Sequence, residues 1–177
     1  KSFTLTALLG AASATVSRGQ CQTDFPVVVD FDQSQYVGDG TRFSEIVNSG
    51  SEGKQMTIAD YSSLSTGGID VVNTGDYWYY PFAPIAIHGS AQCVASGEAR
   101  CIVDFFGSSS TRENYNVLFT DYSTYTVIYA CAPLTKFAKS EEFWILSRET
   151  TLSDEILAEI KTKVSVVFPH YDIDKNT

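Results

Sequence analysis

From Arg42 to Ser147 the chain is cut into short runs rich in β-branched, aromatic and alternating apolar residues, and turn-forming clusters punctuate them. Phe43 to Val47, Gln55 to Ser63, Ile69 to Asn73, Phe82 to Gln92, Cys101 to Phe106, Asn114 to Thr120, Thr124 to Cys131 and Phe143 to Ser147 read as strands. Ser65-Thr66-Gly67-Gly68, Ser96-Gly97 and Asp121-Tyr122-Ser123 are the turn signals between neighbours. Eight short strands joined by short connections predict an antiparallel sandwich or a closed barrel.

One helix breaks the pattern, late in the chain. Ser153 is placed to cap it, Asp154 and Glu155 stand in the first turn where the helix dipole favours acids, and Ile156, Leu157, Ile160 and Val164 recur on one face. Such an amphipathic helix is expected to lie against the outside of the strands, with Ser165 to Ile173 following as a short extended segment. At 177 residues the chain fits one domain with a sizeable core. Its 12 basic against 21 acidic residues give a net charge of −9. No Lys/Arg block stands anywhere, which excludes nucleic acid as an expected partner. A 44% hydrophobic content excludes a disordered acidic tail. The surplus is aromatic, with 10 Tyr, 11 Phe and 2 Trp, and a large core or an aromatic-lined cavity has to hold them.

Residues 1–14 (KSFTLTALLGAASA) set a basic residue before an apolar run from Phe3 to Ala12 and end on small residues, the outline of a secretory targeting segment. The run is about half the ~20 residues that span a bilayer. The expectation is a targeting segment or short arm at 1–14 and a single domain at 15–177. Four cysteines, Cys21, Cys93, Cys101 and Cys131, in a chain of this kind predict two disulfides, with three connectivities open. Zinc fails on spacing, since no C-x-x-C pair exists and neither His88 nor His170 has a nearby partner in sequence.

Four stretches in this order resemble the lipocalin family, most of all its apolipoprotein D and bilin-binding branch. Phe31-Asp32-Gln33-Ser34-Gln35-Tyr36-Val37-Gly38 is similar to the family's first motif, at the entrance to the barrel. Thr120-Asp121-Tyr122-Ser123-Thr124-Tyr125, running on to Cys131, is similar to the second, and Trp144 to Arg148 with Thr151-Leu152 to the third. Ala59 to Val72 adds a fourth, so most of residues 21–165 is covered. The resemblance implies an all-β fold: an eight-stranded antiparallel up-and-down barrel with one C-terminal α-helix packed outside. The family's first-motif tryptophan is missing, replaced by Gly38-Asp39-Gly40-Thr41-Arg42-Phe43. The motif-three arginine, Arg148, is then expected to lie on Phe43 at the barrel floor, through a weaker cation–π contact. The same resemblance implies bridges between Cys21 and Cys131 and between Cys93 and Cys101.

With Arg148 pointing into the floor, strand alternation and the resemblance turn a set of residues inward. These are Ala59, Tyr61, Ile69, Val71, Asn73, Val103, Phe105, Tyr115, Val117, Ile128, Trp144 and Leu146, the expected ligand-binding wall. Tyr77, Trp78 and Tyr79, within the cluster Asp76 to Phe82, are expected in a connection at the open mouth. There they would touch the ligand or form a patch for a protein or membrane surface. An eight-stranded barrel is wide enough for its own side chains or for one small ligand. The implied function is an exported lipocalin that carries a small hydrophobic molecule, such as a carotenoid, bilin, sterol or other lipid, with no covalent cofactor and no metal. The acidic balance and the single inward cation disfavour anionic ligands. The alternative is a non-catalytic scaffold subunit of an extracytosolic or organelle-lumen complex, for example in the thylakoid lumen. Catalysis is not expected: the cysteines are committed to bridges, His88 lies in an alternating strand, and no carboxylate pair falls inside.

Overall fold

A computed structural model of the chain describes residues 15–38, 41–45, 57–77, 80–94, 97–105 and 113–173, with backbone alone at 15, 41, 44–45, 57, 76–77 and 80–85. Eleven elements follow in order among these residues: β1 (Thr15–Arg18), α1 (Gln33–Val37), β2 (Thr41–Glu45), β3 (Thr57–Ser63), β4 (Ile69–Tyr77), β5 (Tyr80–Cys93), β6 (Arg100–Asp104), β7 (Tyr115–Thr120), β8 (Tyr125–Thr135), β9 (Ala138–Ser147) and α2 (Asp154–Val167). From β2 onward each strand pairs antiparallel with the next. β9 then meets β2 through Ser44–Ser147 and Glu45–Leu146, so eight strands form a continuous ring. This is the expected all-β, up-and-down architecture, with α2 outside it.

The structure differs from the sequence reading at four places. A ninth strand, β1, pairs with β9 from Thr15–Glu141 to Arg18–Ala138 and covers an edge that β2 does not reach. Its four residues are too short a run to stand out beside the signal-like segment. Motif one contains a short helix, α1, whose N-cap Asp32 accepts a hydrogen bond from the Gln35 amide at 3.0 Å. The helix α2 runs to Val167, where an extended tail was expected from Ser165. Val164 and Phe168, fully buried against the barrel, hold the last turn in place over the β preference of its valines. Finally, Asp76 and Tyr77 belong to β4 and Tyr80 to Phe82 to β5, with Tyr77 paired to Tyr80, so the aromatic cluster is largely strand and not connection. Aromatic residues suit a pleated surface, and that preference outweighs the turn reading.

Two apolar clusters occupy the two sides of the wall. The outer one joins Leu118, Tyr125, Val127, Tyr129, Phe143 and Ile145 of the barrel to Ile160, Val164, Phe168, Tyr171 and Ile173. Ser153 caps α2 through its hydroxyl, as its position predicted, accepting from the Ile156 amide at 3.4 Å. Cys21 bonds to Cys131 and ties the N-terminal arm to β8, while Cys93 and Cys101 face each other across β5 and β6 and are bonded. At the edge of the outer cluster Glu141, wholly buried, accepts from Tyr129 Oη at 2.9 Å and Ser17 Oγ at 3.1 Å, and Lys139 Nζ lies 2.7 Å away. His170 Nε2 stands 3.2 Å from the same carboxylate.

Candidate functional site

The inner cluster is built from alternate residues of the eight ring strands, β2 to β9. Phe43, Ala59, Tyr61, Ile69, Val71, Val103, Val117, Ile128 and Leu146 are each less than a tenth exposed, and Phe105, Tyr115 and Trp144 pack on them half-buried. All twelve residues expected on the wall thus occupy inward positions: Asn73 stands opposite Ala59 in the ladder, on the same face. Cys101, Val103 and Ala91 continue the face across β5 and β6. His88 is exposed on the outside. The side chain of Tyr77, and Trp78 and Tyr79 entirely, lie outside the described residues.

The closed end is sealed by α1, the residue group the strand pattern did not supply. Tyr36 and Val37 are buried there, and the Arg148 guanidinium sits 5.1 Å from the centre of the Phe43 ring. The same guanidinium donates to the carbonyls of Tyr36 at 3.2 Å and Gln35 at 3.3 Å. The contact expected between Arg148 and Phe43 is thus present at the floor. Opposite, Asp121 accepts from the amides of Ser123, Thr124 and Tyr125 and fixes the second-motif turn. The Tyr122 hydroxyl accepts from the Asp32 amide at 3.1 Å and couples that turn to α1.

Three phenols lie above the floor in one chain of hydrogen bonds. Tyr115 Oη is 2.7 Å from Tyr36 Oη and 3.1 Å from Tyr61 Oη, and Tyr36 also donates to Thr126 Oγ1 at 3.4 Å. Burial pushes the Tyr36 hydroxyl up to about 12 and raises Tyr61 and Tyr115 as well, so all three stay protonated. Tyr61 and Tyr115, both expected on the ligand-binding wall, share a hydrogen bond between their hydroxyls. The Asn73 amide oxygen is different: it is buried with no hydrogen-bond partner among the described residues.

A 145-residue stretch, residues 31–175, matches the family model described as a lipocalin-like domain. The chain belongs to the lipocalin family. Members of that family bind small hydrophobic ligands. This lipocalin is 30% identical to apolipoprotein D of Oryctolagus cuniculus over 161 residues, covering 90% of this chain and 81% of that one. It is 29% identical to the outer membrane lipoprotein Blc of Escherichia coli (strain K12), covering 86% and 85%. Among solved structures, insecticyanin from the tobacco hornworm Manduca sexta superposes with a TM-score of 0.67 at 24% identity, over 92% of this chain and 86% of that chain. Lobster apocrustacyanin A1 does so at 0.62 and 20%, over 89% and 86%. At such identities the superpositions speak for the fold of this lipocalin alone.

Sequence reasoning missed two features of the lipocalin interior. Tyr36 was hidden because a five-residue helix carries too little periodicity to place a side chain. Glu142 was open to the same alternation that turned Trp144 and Leu146 inward, two residues further up β9. Outside the barrel, a groove of about 600 Å³ runs between the N-terminal arm and β7–β8, lined by Phe25, Arg100, Asn116, Tyr129 and Cys131.

Proposed function

We propose that this lipocalin is exported and holds one small hydrophobic molecule in its barrel, a carotenoid, bilin, sterol or other lipid, for transport, storage or protection. The observation that carries the reading is the wall itself: a sealed apolar floor with Asn73, Phe105, Tyr115 and Trp144 half-buried on it and one amide oxygen unpaired. Flat rings and aliphatic chains fit such a wall, and a ligand hydroxyl or N–H would satisfy the Asn73 oxygen. Covering ~400 Å² of apolar ligand surface at ~25 cal/mol/Å² yields roughly 10 kcal/mol before association costs, enough for micromolar or tighter binding. The two disulfides suit an oxidising compartment.

Lipid extraction and mass spectrometry of the protein purified from its source, followed by titration of the stripped protein with the compound found, tests the reading. Saturable one-to-one quenching of tryptophan fluorescence is expected, and a folded Val71→Trp variant, its barrel filled, is expected to lose it. A protein that yields no extractable ligand and binds neither sterol nor retinoid probes would instead act as a scaffold subunit.

A further inference from the structure

Among the residues whose side chains are described, Glu142 is the one acidic residue that register places on the inner face of the barrel between apolar neighbours; Glu45, opposite Leu146, shares that face by its backbone position. It stands on β9 in register with Ala130 of β8, one alternation above the Trp144–Ile128 pair and two above Leu146. No hydrogen bond or ion pair reaches its carboxylate from any described residue. Its described neighbours on the wall supply no counter-charge. On β9 its same-face neighbours are Ser140 and Trp144, and on β8 they are Ile128, Ala130 and Ala132, none of them ionisable at neutral pH.

The titratable residues on the other elements are set well apart from it. Arg18 of β1 is opposite Ala138, and Glu45 of β2 is opposite Leu146, each four residues along β9 and so roughly 13 Å away by strand rise. Tyr115 lies two strands across, roughly 10 Å, with its hydroxyl tied to Tyr36 and Tyr61. Arg148 is at the floor, bonded to the α1 carbonyls. Four further described cations are paired elsewhere, Arg42 with Asp60, Arg100 with Glu98, Lys139 with Glu141 and Lys163 with Glu159, while Lys136 lies over the Phe137 ring in the β8–β9 turn and Lys161 is on α2. Burial alone pushes the Glu142 carboxyl up to about 7.

A half-buried carboxylate with no partner is costly unless something donates to it. We infer that Glu142 is the polar anchor of the barrel ligand, and that it selects amphiphiles carrying a basic amine over neutral ones of the same chain length. This rests on the barrel-binding reading above and narrows its ligand class. When ionised, Glu142 pairs with an ammonium group; when protonated, it donates to or accepts from a neutral hydroxyl, and the preference fades.

The test compares dodecylamine with dodecanol, each below its micellar concentration, by calorimetric titration of the stripped full chain at pH 8.5 and pH 5.5. At pH 8.5 the amine is expected to bind about tenfold more tightly than the alcohol, and the ratio to fall towards one at pH 5.5. In Glu142→Gln the ratio is expected near one at both pH values. Glu142→Asp, which keeps the charge, is expected to retain the pH-dependent preference in weaker form. Alcohol binding with no amine preference, or a preference that survives in Glu142→Gln, overturns the inference and leaves the barrel reading standing. Failure of both compounds to bind a folded protein overturns the two together.

Discussion

Two neighbouring carboxylates on β9 show how far one step along a strand changes the fate of a charge. Glu141 points out of the barrel into a cage of donors. Burial would raise its carboxyl, but the hydrogen bonds from Lys139, Tyr129 and His170 outweigh that and hold it below the ordinary range. The stabilisation it brings is therefore present at neutral pH and lost as pH falls through that depressed value. Glu141→Gln leaves Lys139 buried without its counter-ion and is expected to cost about 3–5 kcal/mol in urea denaturation at pH 7. The double replacement Lys139→Met, Glu141→Leu is expected to recover most of it. Glu142 points the other way and has the opposite sign. Its folded-state value near 7 lies above the ordinary 4.5, so the folded chain holds the proton more tightly and stability falls as pH rises between the two. Glu142→Gln is thus expected to raise Tm at pH 8 and to leave it unchanged at pH 4. Alternation predicts that these two residues face apart; it says nothing of the donors that Ser17, Tyr129 and His170 bring to one of them from distant parts of the chain.

The strands were legible because each carries its own period and its own turn. Ala59 and Tyr61, Ile69 and Val71, and Val103 announce the inner face without reference to any partner, and the registers Ala59–Asn73 and Ala91–Val103 place them as alternation requires. What stayed illegible depends on partners remote in sequence. The helix α1 is held by Asp32 and by the Arg148 contacts to its carbonyls, and the last turn of α2 by the rings of Tyr129 and Phe143, 4.5 and 5.0 Å from Phe168. The Tyr36–Tyr115–Tyr61 chain joins three elements and is invisible to any local window. At this scale Ile160→Ala, a fully buried contact of α2 with the barrel, is expected to cost about 2–5 kcal/mol. Ser153→Ala, which removes only the cap, is expected to cost about 1 kcal/mol. Chemical denaturation of both variants at one pH checks the ordering.

The whole molecule is a hoop pinned by two covalent bonds of very different reach. Cys21–Cys131 spans a sequence separation of 110 and Cys93–Cys101 one of 8. Loop-closure entropy assigns the long bridge roughly 5 kcal/mol and the short one about half that. Paired Cys→Ser variants are expected to lose stability in that order, measured by the urea midpoint under non-reducing conditions. Both bridges join segments that the strand ladder alone leaves to non-covalent contacts: the N-terminal arm to β8, and β5 to β6. A reducing medium removes the two pins and leaves the staves, so the same hoop is expected to be a softer vessel there than in an oxidising one.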